Sequence, residues 1–248
     1  MQSSAVDVTV ADGVADAYLT RPDDDREHPG VLFIMDAYGL RPRIEEMADR
    51  IATDGYVVLV PNVFYRAGRA PVLPMPDPDD PASGPAFMQS VRPLILQLDP
   101  GAAARDGEAY LDYLARVASG PVGITGYCMG ARFGWRVAAA HPDRVASLGG
   151  FHAGGLVTDA PDSPHLSAGD LGAELYFGHA DNDPSMTAEQ IAVLERSLED
   201  AAVIHRSEVY AGAVHGYTMA DRPSWNESAC ERHFKELLAL LDRTLKPH

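Results

Sequence analysis

A cysteine between two glycines is the part of this sequence best suited to covalent chemistry. The segment Gly126-Tyr127-Cys128-Met129-Gly130 follows an apolar run at residues 121–125, which predicts a buried strand, and precedes a predicted helix at residues 131–140. This order is typical of a nucleophile elbow, with sulfur in place of the usual serine oxygen. Glycines suit the flanking positions because larger side chains would collide with backbone across so tight a turn. A thiol at a helix N-terminus is in an environment that favours the thiolate.

A cysteine nucleophile needs a base, and the base needs a group that orients it. In folds built on this elbow, an acid and then a histidine follow the nucleophile, each on a loop after a later strand. Asp181 follows a predicted strand at residues 173–177, and His215 follows one that ends near Tyr210. Asp183, in the same loop, is an alternative that we consider weaker because Asp181 lies closer to the strand. The sequence therefore predicts that Cys128, His215 and Asp181 act together.

The elements that must bring these residues together alternate between strands and helices. Asp12-Gly13 lies between two alternating segments and predicts a hairpin. Buried strands are predicted at residues 31–35, 56–60 and 145–151, and helices start at Pro42, Ala102, Thr187 and Asn226. This alternation predicts an α/β fold, a mostly parallel sheet with helices on both faces, as a single domain over residues 1–248. Both Asp181 and His215 would then project from the carboxyl ends of strands, where such sheets form their sites.

Composition excludes several classes of partner. The 248 residues are 46% hydrophobic and 23% charged, as in globular proteins, and the formal net charge is −16. That charge argues against nucleic acid or an anionic membrane as a partner, since both require a basic face. No apolar run has the length of a membrane span, and the N-terminus does not resemble a signal peptide. With Cys128 and Cys230 as the two cysteines, a disulfide framework is implausible, and we expect a cytoplasmic protein.

The chain resembles the dienelactone hydrolase family of α/β-hydrolases from about residue 5 to residue 245. The residues that carry the resemblance lie at residues 126–132, 177–181 and 215–217, with further matches at residues 35–40 and 55–64. The resemblance implies the α/β-hydrolase fold and a triad with Cys128 as nucleophile, His215 as general base and Asp181 as orienting carboxylate. It also implies an oxyanion hole formed by the backbone N–H groups of Met129 and Ala37.

The expected activity is hydrolysis of a small ester or lactone through a thioester, with no metal or organic cofactor. Two departures from the family concern the substrate and the thiol. Asp36 stands where dienelactone-hydrolysing members have a glutamate that helps to ionise the thiol. Met219 stands where an arginine would bind a substrate carboxylate, and Arg222 follows three residues later. We expect Asp36, Tyr127 and Arg222 to activate the thiol or line the substrate pocket.

Other interpretations of these residues remain open. The departures at Asp36 and Met219 also fit a catalytically weak or inactive hydrolase-fold protein that binds a small molecule. A second cation could come from Arg66 or Arg69, in the Pro- and Asp-rich loop at residues 62–85, although solvated surface is the simpler interpretation. His152 and His165 share one loop, but no HExxH or CxxC spacing supports a metal site there.

Overall fold

The computed structural model describes residues 1–77 and 79–246, and its strands form one eight-stranded sheet. The strands are β1 (Gln2–Val10), β2 (Gly13–Arg21), β3 (Pro29–Ile34), β4 (Val57–Pro61), β5 (Ser119–Tyr127), β6 (Val145–Phe151), β7 (Glu174–Ala180) and β8 (His205–Tyr210). The strand order is β1-β2-β4-β3-β5-β6-β7-β8. The first two pairings, β1 with β2 and β2 with β4, are antiparallel, and the remaining pairings are parallel. The predicted α/β architecture is confirmed.

Helices cover both faces of this sheet. They are α1 (Pro42–Thr53), α2 (Ser83–Leu96), α3 (Pro100–Val117), α4 (Met129–Ala140), α5 (Ala188–Asp200) and α6 (Glu227–Leu245). On β5, Gly123 faces side chains of α6, whereas the next residue, Ile124, packs against Gly134 of α4. Because successive strand residues point to opposite faces, α4 and α6 pack on opposite sides of the sheet. Helix α3 packs beside α4, and α1 reaches α6 through the Arg50–Glu231 ion pair.

Local sequence signals account for most of these boundaries. The predicted hairpin forms at Asp12-Gly13, where Gly13 pairs with Val10 and has a φ of 146°. Thr187 starts α5 with a capping box that includes Gln190, and the Asn226 side chain caps the first turn of α6. Among the described residues, no helix is both long and apolar enough to cross a bilayer.

Strand β7 is longer than predicted. It continues to Ala180, three residues beyond the predicted end at Phe177, so the loop that carries the acidic residues begins later. Helix α2 starts at Ser83 and accommodates Pro93 in its interior. It buries only Phe87 and Val91 of its fourteen residues, so it rests on the body of the protein through a narrow contact.

Candidate active site

Cys128 lies in the sharp turn between β5 and α4, in the strained backbone conformation expected of an elbow. Its φ of 54° and ψ of −119° are uncommon for a residue other than glycine. A Cβ on Gly126 would lie 2.4 Å from the carbonyl oxygen of Gly130, and one on Gly130 would lie 2.5 Å from the carbonyl oxygens of Ile34 and Met35. Both glycines are therefore required by close backbone approach. The sulfur is partly exposed, at the start of α4.

His215 lies on the loop after β8 and is held by a carboxylate. Its Nδ1 is 2.6 Å from Oδ2 of Asp183, whose side chain is 1% exposed. The other oxygen of Asp183, Oδ1, accepts a hydrogen bond of 2.8 Å from the Ser185 backbone N–H. This arrangement fixes the Asp183 carboxylate and leaves the Nε2 side of the ring for a second partner.

The prediction of Asp181 as the orienting carboxylate is wrong, because the structure gives that contact to Asp183. Asp181 directly follows the longer β7, and its carboxylate accepts hydrogen bonds from the Gly212 N–H and the Asn182 side chain. Asn182 then turns the chain with a φ of 53°, which brings Asp183 to the imidazole. Because β7 was predicted to end at Phe177, Asp181 was placed too far along the loop, whereas β7 in fact continues to Ala180.

The charges around His215 favour its protonated form. Burial alone would lower the pKa of His215, but the bond to Asp183 and the neighbouring Cys128 sulfur outweigh this effect and raise the pKa to about 10. Burial would raise the pKa of Asp183, yet its hydrogen bonds to His215 and Ser185 lower it overall. The site can therefore hold an imidazolium between the Cys128 sulfur and the Asp183 carboxylate.

A cavity of about 480 Å³ opens beside these groups, a size suited to a small organic substrate. Its polar lining includes Asp36, Cys128, His152, His215 and Arg222. Apolar lining comes from Ala37, Tyr38, Met88 and Met219, with further contacts from Ser185, Gly216, Pro223 and Ser224. The cavity thus joins the thiol and the imidazole to one guanidinium.

The backbone groups expected to form an oxyanion hole lie next to this cavity. Met129 is the first residue of α4, where backbone N–H groups have no acceptor within the helix. Ala37 follows β3, which pairs with β5 at Ile34 and Gly126, and it lines the cavity. The two expected donors therefore lie at the ends of adjacent strands.

Asp36 lines the cavity, as expected of a pocket residue, but its carboxylate is already bound. Oδ1 accepts hydrogen bonds from Arg41 Nη1 at 2.7 Å and from the Tyr38 N–H at 3.0 Å, and Oδ2 accepts one from Arg41 Nη2 at 3.1 Å. Burial raises the pKa of Asp36, and the guanidinium of Arg41 opposes that rise. The expected role of Asp36 in ionising the thiol is not favoured, because both of its oxygens bind Arg41.

Tyr127 does not contribute to the cavity, so its prediction as a pocket or thiol-activating residue is wrong. The side chain is fully buried on the side of the sheet that faces α6, where its hydroxyl lies 2.7 Å from Nε2 of His233. Its ring stacks on Phe33 at 4.7 Å. Tyr127 precedes Cys128 directly, and alternation along β5 sends the two side chains in different directions.

Arg222 is a cation that borders the cavity. It lines the cavity, and its guanidinium carbon lies 4.4 Å from the centre of the Tyr38 ring, within the range of a cation–π contact. Arg66 and Arg69, the other candidate cations, lie elsewhere. Arg66 pairs with Asp12 and with the buried Asp106, and Arg69 pairs with Asp7.

His152 is the site residue that sequence reasoning missed. It is 1% exposed, has a φ of 37°, and lies edge-on to the His215 ring with 5.3 Å between centroids. Its Nε2 is 2.8 Å from Thr218 Oγ1, and burial lowers its pKa well below 6.5, so the ring is neutral. The available signal was its position directly after β6, the neighbour of β5.

No group of three residues able to hold a metal ion was found among residues 1–77 and 79–246.

Known proteins share sequence and structural similarity with this chain. The family model described as "Dienelactone hydrolase family" matches residues 15–245. A Mus musculus protein named carboxymethylenebutenolidase homolog is 28% identical over 83% of this chain and 77% of its own length. A Salmonella typhi protein named as a candidate carboxymethylenebutenolidase is 27% identical over 90% of this chain and 80% of its own length.

Similarity extends to solved structures. A crystal structure of a candidate dienelactone hydrolase from Klebsiella pneumoniae has a TM-score of 0.85 to this chain and covers 98% of both chains at 20% identity. That likeness supports the fold, and the family model that matches residues 15–245 supports membership of the family. The chain belongs to the dienelactone hydrolase family, a family of carboxylic ester hydrolases with the α/β-hydrolase fold.

Proposed function

We propose that this protein hydrolyses small carboxylic esters or lactones with Cys128 as nucleophile, His215 as acid and base, and Asp183 as orienting carboxylate. The observation that carries the proposal is the 2.6 Å contact between His215 and Asp183 beside a thiol in a strained elbow. Cys128 and His215 border a single cavity, so that a bound carbonyl can meet the sulfur and the imidazole together. The alternative, an inactive protein that binds a small molecule, has no need of an ordered His–Asp pair.

The proposed reaction has two steps. The Cys128 thiolate attacks the carbonyl carbon and forms a C–S bond, and the oxyanion is stabilised by the N–H groups of Met129 and Ala37. The C–O bond then breaks as His215 donates its proton to the leaving oxygen, which leaves a thioester. In the second step neutral His215 removes a proton from water, the water attacks the thioester, and the acid product departs as the thiolate re-forms. In a lactone, the leaving hydroxyl stays attached to the product.

The position of Arg222 favours a substrate that carries a carboxylate. Its guanidinium borders the cavity and stacks on Tyr38, and no carboxylate pairs with it among the described residues. An anionic group on the substrate could therefore bind it without displacing an existing ion pair. Met219 is buried and apolar at the position where the family has its arginine, so Arg222 would act from a different point of the same loop.

The test compares wild-type protein with Cys128→Ala on p-nitrophenyl acetate and on a panel of enol-lactones. We expect Cys128→Ala to lose activity by about 10⁴-fold or more, because the nucleophile is absent. We also expect mass spectrometry to find an acyl group on Cys128 in the wild type. Cys230→Ala is the matched control, since that thiol is buried beside α1 and should leave the rate unchanged. Full activity in Cys128→Ala would refute the proposal.

A further inference from the structure

Arg41 links the two loops that form opposite walls of the cavity. Its side chain is 6% exposed, and its three guanidinium nitrogens all donate hydrogen bonds. On one side it binds Asp36 through Nη1 at 2.7 Å and Nη2 at 3.1 Å, and on the other it binds Asp221 through Nε at 2.6 Å. Further bonds reach the Gly39 carbonyl and the Met219 sulfur.

Each loop held by Arg41 carries part of the proposed catalytic apparatus. The loop after β3 contributes Ala37, whose N–H is one of the proposed oxyanion donors, and Tyr38. The loop after β8 contributes His215 and Arg222. Contacts between these segments also include the stacking of Arg222 on Tyr38 and a hydrogen bond of 2.8 Å from Arg43, in the first turn of α1, to the Thr218 carbonyl. Arg41 contributes to the spacing between the proposed oxyanion donor and the base through two ion pairs, one to each loop.

Only an arginine can make this set of contacts. The planar guanidinium presents donors on two edges, so it can bind one carboxylate bidentately and a second carboxylate at the same time. A lysine is a single point charge and could not hold both. Burial alone would lower the pKa of Arg41, but the charges of Asp36 and Asp221 outweigh burial and raise it, so the cation is firmly retained.

We propose that Arg41 is a positioning residue that holds the Ala37 N–H at the oxyanion position, and that Asp36 is its anchor rather than a base for the thiol. Both oxygens of Asp36 face Arg41, and Oδ1 also accepts the Tyr38 N–H, so the carboxylate stiffens the turn that contains Ala37. Thiol ionisation is then left to His215. The inference rests on the proposed hydrolase chemistry and assigns new roles to two residues.

The first test is the kcat and KM of the double variant Arg41→Met, Asp36→Asn with p-nitrophenyl acetate, a substrate that lacks a carboxylate. Removing both partners avoids an unpaired buried charge, so the variant should fold. We expect kcat to fall by about 10²-fold, the effect of a displacement of roughly 1 Å at a catalytic group, with little change in KM. Arg50→Met, which breaks the exposed pair with Glu231, is the matched control and should leave both constants unchanged.

A second variant keeps the test decisive if the double variant does not fold. Asp221→Asn weakens the same link at a carboxylate that is 30% exposed, so folding should tolerate it. We expect kcat to fall in the same direction but by less, because the bonds between Arg41 and Asp36 remain. Unchanged kcat in whichever of these variants folds would overturn the role of Arg41.

The role of Asp36 is tested separately by the rate at which iodoacetamide alkylates Cys128. Alkylation depends on the thiolate and needs no oxyanion hole, so Asp36→Asn should react at the wild-type rate while its kcat falls. A tenfold slower alkylation would show that Asp36 ionises the thiol and would overturn its assignment as an anchor. Failure of the proposed function would look different, because Cys128→Ala would then retain activity whatever the behaviour of Arg41.

Discussion

Asp183 and Asp181 lie two residues apart, yet only Asp183 contacts His215. We predict that Asp183→Asn lowers kcat by about 10³–10⁴-fold, because loss of the carboxylate removes the group that sets the tautomer and orientation of the imidazole. The matched variant Asp181→Asn keeps an acceptor for the Gly212 N–H and should change kcat by about twofold at most. Steady-state kinetics on p-nitrophenyl acetate would measure both. A larger loss in Asp181→Asn than in Asp183→Asn would contradict the assignment.

The protonation of His215 gives a second prediction. In the folded protein its pKa is raised from 6.5 to about 10, so the imidazole should stay protonated through neutral pH. By linkage, this proton stabilises the fold fully below pH 6.5, and the stabilisation is lost as the pH rises through about 10. An NMR titration of the His215 ring should show this midpoint, and Cys128→Ala should lower it because the sulfur no longer favours the cation. A midpoint in Cys128→Ala at or above that of the wild type would contradict the proposed ion pair.

Single residues also show where sequence reasoning reached its limit. Cys128 and His215 were identified because chemistry, strand ends and chain order all agree on them. The contact of Asp36 with Arg41, five residues along the chain, was not foreseen, because it depends on how the loop after β3 folds and on Asp221, which binds the other side of Arg41 from 180 residues away. Tyr127 was misplaced although alternation along β5 could have excluded it.

At the scale of elements, the elbow depends on how closely β3, β5 and α4 approach one another. We predict that Gly126→Ala destabilises the protein by about 3 kcal/mol or more, because its Cβ would lie 2.4 Å from the Gly130 carbonyl oxygen, and backbone cannot yield as a side chain can. Gly84→Ala in α2 is the control, since its Cβ meets nothing within 4 Å, and its effect should stay within about 1 kcal/mol. Urea unfolding would compare them, and equal effects would contradict the packing argument.

The extents of the elements explain why the fold was more predictable than the site. Apolar runs, Asp12-Gly13 and the helix caps identified the sheet and its helices, because each signal is local. The end of β7, in contrast, is not marked by a local signal. Its last residues, Gly178 to Ala180, are held by parallel pairing with β8 up to Ala180 and Tyr210, and no propensity in the segment reveals that pairing. An error of three residues was enough to select the wrong aspartate.

For the whole molecule, the formal net charge of −16 opposes the approach of an anionic substrate. The Debye length falls from about 30 Å at 0.01 M salt to about 10 Å at 0.1 M, so added salt screens this repulsion. Salt weakens the short-range attraction between the substrate carboxylate and Arg222 much less. We therefore predict that kcat/KM for p-nitrophenyl hemisuccinate, relative to neutral p-nitrophenyl acetate, rises with salt over this range. A fall in the ratio would show that attraction by Arg222 outweighs the overall repulsion.

The order of the parts along the chain has a consequence during protein synthesis. The ribosome completes the elbow and its sulfur well before it makes β8, His215 and the Asp221 that Arg41 binds. A nascent chain that ends before those segments therefore carries Cys128 without its imidazole, so the sulfur should behave as an ordinary thiol until the last third of the polypeptide folds back across the sheet.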